Sequence, residues 1–368
     1  MQEKEHCFTC GANGLEEDLY EFDGRHYCYH CLNERTVICE HCGTRIYDDD
    51  NVGDDAIPLC SRCYEAAYTT CCRCGRIIHN DDAHYIDDND YEAYCDSCYS
   101  QRCKRVIHDY YYKPEPIFYG EGSRYFGIEL EVDDGGELDN KAELVLALAN
   151  ANGLEHIYAK HDGSLSDGWE AVSHPATLEY HLKEIPWSAV LDKLRELGYT
   201  SHQARTCGLH IHVNRTAFGS TMEMQDECIA RILYLFEKFW PEILKFSRRT
   251  QRQLERWASR YGFRNRPKEI LDHAKYETGN SRYTCVNLTN EDTIEIRVFR
   301  GTLKYNTFVA SLQFVDRLCD LALFMSDEEL ENMSWSSFAL GCTEPELVRY
   351  LKERQLYINE PVESEAEI

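Results

Sequence analysis

The sequence predicts an α+β domain with one largely antiparallel sheet, preceded by three small metal-held modules. Three observations carry this. Of 19 cysteines in 368 residues, fourteen lie at or before Cys103, and twelve of those fall into six C-x2-C pairs. Beyond residue 123, three short segments alternate apolar and ionisable residues with period two, the spacing of a strand that buries one face. Between them run Ala- and Leu-rich stretches that stop at Gly153 and Gly198, as helices commonly do. Short alternating strands with helices between them specify an α+β architecture.

The cysteine region is a repeat. Its pairs are Cys7/Cys10, Cys28/Cys31, Cys39/Cys42, Cys60/Cys63, Cys71/Cys74 and Cys95/Cys98. Cys7, Cys39 and Cys71 recur with a period of 32, each opening C-x-x-C-G, and each repeat closes with a second C-x-x-C. Two thiolates two residues apart can grip one tetrahedral ion from a tight turn, and the following glycine supplies the positive φ such a turn needs. Two pairs complete a four-cysteine site, so residues 1–107 are expected to hold three Zn²⁺ in repeats spanning about 1–35, 36–68 and 69–107. A unit of some thirty residues is too small for a core of its own, so metal binding would supply much of its folding free energy. Iron fits the same tetrahedron; zinc is the expectation. Cys72 and Cys103 are left over, and His30, His41, His79 and His108 are not needed as ligands. The spacing resembles LIM and zinc-ribbon modules, although seven residues rather than two separate successive sites. Closed sites with four protein ligands are structural. The module is expected to hold a protein partner or to cover the second domain.

Charge narrows the partners. The chain carries a net −26, with −12 in residues 1–113 and −14 in the remainder. Binding to phosphate backbones or anionic lipid needs clustered basic side chains, so nucleic acid and membrane surfaces are not expected partners. The first residues, MQEKEHCFTC, lack a basic region followed by an apolar stretch, and no apolar run is long enough to cross a membrane. Many cysteines without an export signal read as reduced thiols or metal ligands, which predicts a cytoplasmic location.

Pro114 and Pro116 mark residues 108–122 as an extended linker, leaving 123–368 as the second domain. In RYFGIELEVDD, Phe126, Ile128, Leu130 and Val132 share one face, with Glu129, Glu131 and Asp133 on the other. In CGLHIHVN, Leu209, Ile211 and Val213 oppose His210 and His212. In TIEIRVF, Ile294, Ile296 and Val298 oppose Glu295 and Arg297. Weaker strands are expected at 156–160, 169–173 and 283–288. Helices are expected at 141–152, 188–197, 222–246 with a kink at Pro241, 307–325 and 344–351.

Three strands that each present ionisable groups at i and i+2 form a surface suited to holding cations. Side chains at that spacing lie about 7 Å apart on one face, so Glu129 and Glu131 can reach different ions. Taken singly, an E-x-E is more often a solvated strand face, an H-x-H a pair of exposed histidines and an E-x-R a cross-strand ion pair. Their conjunction in one domain favours the cation-binding reading.

The segments FGIELEVD, KHDGSL, WEAVSHP, GLHIHVN and RYTCVNLTNEDTIEIRVFRGTL, in that order, resemble the amidoligase family, carboxylate–amine ligases related to glutamine synthetase and glutamate–cysteine ligase. The resemblance covers roughly residues 110–355, and forms with preceding zinc repeats occur in bacteria and phages. It implies a glutamine-synthetase-like sheet and an ATP-dependent ligase using Mg²⁺ or Mn²⁺. A small-molecule or peptide carboxylate would be activated as an acyl phosphate and captured by an amine. It also implies that Glu129, Glu131, Glu170 and Glu295 hold the cations and that His210 approaches the phosphate. His212 would stand behind the ligands or contact the phosphate, Asp162 would serve the metal or the substrate, and Arg297 would stabilise the transferring phosphoryl group. Arg282 and Arg300 would bind phosphate or a substrate carboxylate, and Asn287 would orient a neighbour. Asp162 fits a plain Asp-Gly turn equally well.

Independently of the resemblance, residues 245–268 hold nine Lys/Arg and one acid. Arg248, Arg252, Arg256, Arg260 and Arg264 would form a drifting stripe on a helix, either solvated or walling an anion channel. Two other functions stay open from sequence: an adaptor with an inactive ligase-like domain, and a metal-dependent phosphotransferase or hydrolase.

Overall fold

A computed structural model describes residues 5–14, 19–85, 92–102, 105–204, 206–276 and 282–357. The chain divides into two compact units, Met1–Arg105 and Val106–Ile368.

In the first unit each opening cysteine pair lies at the tip of a hairpin. The paired strands are Glu5–His6 with Asn13–Gly14, Thr36–Ile38 with Arg45–Tyr47, and Tyr68–Thr70 with Ile77–His79. Gly11, Gly43 and Gly75 have φ of 72°, 70° and 73°. A Cβ at any of them would meet nothing within 4 Å, so backbone conformation alone selects glycine. Each repeat closes on a short helix: Tyr29–Arg35, Ser61–Ala67 or Asp96–Arg102. Cys28 and Cys60 are the residues that cap the first two helices, and Cys31 and Cys63 are buried in their first turns. The second pair of each repeat is thus carried by a helix start, where a ribbon would use a second turn. Cys103 lies outside the described residues.

The second unit is a mixed α+β fold built on a seven-stranded sheet. Its strands are β1 (Ile107–His108), β2 (Phe126–Val132), β3 (Ile157–Lys160), β4 (Trp169–Ser173), β5 (Gly208–Asn214), β6 (Val286–Asn287) and β7 (Thr293–Arg300). They lie in the order β6-β7-β5-β2-β4-β3-β1. Every pairing is antiparallel except β3 with β1. The apolar positions read from sequence are the ones that enter the core, and several residues of the opposite, polar face (Glu131, His210 and Glu295) are buried as well. Phe126, Ile128, Leu130, Leu209, Ile211, Val213, Ile294 and Ile296 are at most 1% exposed and belong to one core. The long helix Tyr305–Phe324 belongs to that core through Phe308, Leu312, Phe314 and Val315.

Three expectations are corrected. Residues 108–122 are not a free linker: His108 sits in β1, the Tyr119 N–H donates to the Pro175 carbonyl, and the Ile117 N–H donates to His174 Nδ1. The helix over 222–246 is two helices, Met222–Lys238 and Trp240–Ser247, with Pro241 in the first turn of the second, where its missing N–H costs nothing. The arginine stripe does not exist as one helix face. Arg248 ends a helix at φ 59°, and only Gln251–Trp257 is helical before the chain resumes at Pro267–Tyr276. Among the described residues no helix is long and apolar enough to cross a membrane.

Candidate active site

The polar face of the sheet carries one continuous row of ionisable groups. Register aligns it: Glu131 faces Glu170 across β2–β4, Glu129 faces His210 across β2–β5, His212 faces Glu295 across β5–β7, and Glu295 faces Asn287 across β7–β6. Because strand side chains alternate with period two, burying the Ile and Leu positions in the core forces these neighbours onto the opposite face together.

Glu129 stands at the centre. Its carboxylate lies 3.2 Å from His210 Nδ1 and 3.2 Å from His212 Nε2. Burial alone would raise this carboxyl, but the charges and hydrogen bonds of His212 and His210 hold it well below its usual range. His212 shifts the other way: burial opposes its charge, yet Glu129 raises it. Burial, followed by the nearby charges of Glu129, Glu131 and Asp162, pushes Glu170 well above the usual range, and burial raises Glu131. The Gly208 N–H donates to Glu131 Oε2 at 2.5 Å. Burial would raise Glu295 too, but His212 chiefly pulls it down. Asn287 Nδ2 donates to Glu295 at 2.8 Å while its Oδ1 accepts from Thr289, which makes it an orienting donor.

Two sets of ligand atoms, Glu129/His212/Glu295 and Glu129/Glu170/His210, each lie within 4.8 Å of one another. Each joins carboxylate oxygens to an imidazole, a donor set that suits divalent cations such as Mn²⁺ or Mg²⁺. Burial and, after it, the neighbouring carboxyl charges raise Glu170, and a bound cation would relieve the second of these. In the first unit, the thiols of Cys7/Cys10/Cys28/Cys31, Cys39/Cys42/Cys60/Cys63 and Cys71/Cys74/Cys95/Cys98 likewise form three groups, each within 4.8 Å. These all-cysteine sets fit a tetrahedral ion. Burial works against ionising Cys7, Cys39 and Cys71, yet backbone N–H donors such as those of Cys28, Cys60 and Cys95 bring each thiol down to about 6.

Arginines flank the carboxylate row. Arg297 Nη1 donates to Glu295 Oε1. The pairing of β5 with β7 slips between Leu209 and Ile211: Ile211 faces Ile296, but Leu209 faces Phe299. This bulge inserts one residue, so Arg297 and Arg300 share the polar face despite their spacing of three. Arg300 does not line the cleft beside it.

That cleft measures about 350 Å³. Glu131, His210, Arg249 and Arg297 line it, together with Thr206 and the Asp162–Ser164 turn. Asp162 accepts the Ser164 N–H, so it is both the turn residue and a wall of the cleft. Tyr110, Trp257, Arg282 and Tyr283 complete the lining, and Arg282 donates to both the Tyr110 (2.7 Å) and Tyr283 (3.1 Å) hydroxyls. Asp133 shares the strand face of Glu131 but serves structure. It accepts from the backbone of Ser166 and Asp167 and from Thr206 Oγ1, fixing the loop that carries Asp162.

Arg249, Trp257, Thr206, Tyr110 and Tyr283 were not singled out from sequence. Arg249 and Trp257 fall inside the basic segment 245–268, which was the available signal, but a search for helix periodicity passes over both.

A family model described as "Putative amidoligase enzyme" matches residues 147–319. Residues 147–319 are thus similar to the amidoligase family. The match takes in Glu170, His210, His212, Glu295 and Arg297 but begins after Glu129 and Glu131, so β2 joins the amidoligase-family segment through the sheet register. Among solved structures, a bifunctional glutathione synthetase from Pasteurella multocida is similar at 14% identity with a TM-score of 0.37. The similarity covers 63% of this chain and 46% of that one, so the chain spans less than half of that protein's length. No curated protein matches the chain.

Proposed function

We propose that the second unit is an ATP-dependent carbon–nitrogen ligase with a glutamine-synthetase-like sheet. One observation carries this reading: two cation-ready triads share Glu129 beside Arg297, on one face of a largely antiparallel sheet, and every other member of the triads falls within the amidoligase-family match. A substrate carboxylate oxygen would attack the γ-phosphorus of ATP, the bond to the β-phosphate oxygen would break, and ADP would leave. An amine would then attack the acyl carbon, expel phosphate and lose a proton, leaving an amide. Bound divalent cations would neutralise charge on the β- and γ-phosphates. The protein's own groups divide the remaining work. Glu129, Glu170, Glu295, His210 and His212 would hold the cations, with Asn287 fixing Glu295. Arg297 would face the phosphoryl oxygens with a planar fork of donors. Glu131, bonded to the Gly208 N–H, would support the second triad from beneath His210. Arg282, Arg300 and Asp162 would bind substrate at the edges. Small-molecule or peptide carboxylates and amines are the proposed substrates.

The three cysteine sets are proposed to hold structural Zn²⁺. The test of the ligase reading is release of ADP from ATP when a carboxylate and an amine are supplied together. Turnover to AMP and pyrophosphate, or hydrolysis indifferent to the amine, would favour a different phosphoryl chemistry.

A further inference from the structure

Resting on that reading, we propose that Arg249 is a polyphosphate-binding residue, the second prong of an anion clamp whose first prong is Arg297. Arg249 is 8% exposed and lines the cleft beside His210 and Glu131. Its Nε and Nη2 both donate to the Phe299 carbonyl, at 3.1 and 3.0 Å, which fixes the plane of the guanidinium. No carboxylate lies within 4 Å of it among the described residues, and its Nη1 makes no hydrogen bond there. Arg297 spends one nitrogen on Glu295, and its buried Nε has no partner. One buried and one half-buried guanidinium thus line the same cleft. A buried arginine without an acid partner is costly unless an anion completes it. Burial, and then the charges of Arg297 and Arg300, draw Arg249 down to about 10, against the pull of Glu131. The unmet demand is for negative charge.

The backbone makes room for this arrangement. A Cβ on Gly208 would fall 2.6 Å from Arg249 Nη2 and 2.7 Å from His210 Nε2. The first residue of the G-x-H-x-H segment is therefore glycine because the guanidinium and the His210 ring together occupy the space above it. The ligand class follows from the donors: planar forks beside a carboxylate row suited to divalent cations match a chain of phosphoryl groups carrying its own cation.

The probe is inorganic tripolyphosphate with Mg²⁺, titrated calorimetrically into the full zinc-loaded chain, with ATP and Mg²⁺ in parallel. Arg249→Gln is expected to weaken tripolyphosphate by roughly 10- to 100-fold, the range for losing one charge-assisted hydrogen bond. Arg249→Lys should recover part of that loss. Gly208→Ala, which crowds both the guanidinium and the His210 ring, should weaken tripolyphosphate in the same direction while Mn²⁺ alone still binds as in the wild type, and with that control it decides the matter if Arg249→Gln fails to fold. Wild-type affinity in both Arg249→Gln and Gly208→Ala would overturn the role of Arg249 and leave the ligase reading intact. A wild-type chain that binds neither tripolyphosphate nor ATP would overturn the ligase reading and the clamp with it.

Discussion

At the scale of single residues, the chemistry rests on groups whose protonation is set by burial and by one another. Glu129 is shared by both triads, so Glu129→Gln should remove cation binding at both and abolish ADP release. Calorimetric titration of Mn²⁺ into this variant should show no saturable site in the second unit. Arg297→Ala should leave cation binding and lower turnover by about 100-fold or more, the usual cost of losing a donor aimed at developing charge. A variant with wild-type turnover would remove Arg297 from the mechanism. A third prediction concerns stability. His181 is 1% exposed and fully satisfied as the neutral imidazole: Nε2–H donates to the Phe126 carbonyl at 2.8 Å, and Nδ1 accepts from Trp187 Nε1 at 3.3 Å. Burial lowers its pKa to about 4 from an ordinary 6.5. A base depressed in the fold stabilises it fully above its unfolded pKa and loses that contribution as pH falls through the folded value. Stability should therefore drop between about pH 6.5 and 4 by roughly 3 kcal/mol. Urea unfolding followed by tryptophan emission should show this slope in the wild type and a shallower one in His181→Gln; equal slopes would count against it.

At the scale of elements, period-two alternation was the strongest signal in the sequence. β2, β5 and β7 were legible because burying one face fixes register, and register brings Glu129, His210, His212 and Glu295 together. β1 was not, because two residues carry no periodicity and its pairing with β3 is a tertiary event. Several short helices were missed although their starts can be read: Ser326 with Glu329 and Thr250 with Gln253 both form capping boxes. Arg249 was illegible for a different reason. Its place depends on the left-handed end of a helix at Arg248, on a carbonyl fifty residues away and on the missing side chain of Gly208. The cysteine repeats were legible as pairs and period, but the helix that carries each closing pair was not. An element-level prediction follows for β2. Leu130→Ala would empty a fully buried position in the central core and should cost about 2–5 kcal/mol. Denaturant midpoints would check this, and a loss under 1 kcal/mol would mean that the sheet repacks around the gap.

At the scale of the whole molecule, two units answer to different stabilising forces. The second has a continuous apolar core, and the cysteine repeats have small clusters built largely around the cysteines themselves. All five tryptophans (Trp169, Trp187, Trp240, Trp257 and Trp335) belong to the second unit. A strong zinc chelator at neutral pH should therefore unfold the repeats, seen as loss of amide-exchange protection in residues 19–85, while tryptophan emission stays constant. Retained protection would show that the thiols do not depend on metal. The chain's excess of acids also sharpens the meaning of the cleft, because a molecule of net −26 places Arg249, Arg282 and Arg297 together there, outnumbering the lining acids Glu131 and Asp162.

The central claim is that this face of the sheet transfers the γ-phosphoryl group of ATP to a carboxylate and then makes an amide. The most direct measurement is incubation of the purified chain with ATP, Mg²⁺ and a small-molecule cell extract, followed by nucleotide analysis and mass spectrometry. The predicted result is ADP released in step with a product lighter than two extract components combined by one water, with both signals lost in Glu129→Gln. Formation of AMP and pyrophosphate, or ADP release that persists undiminished in Glu129→Gln, would contradict it.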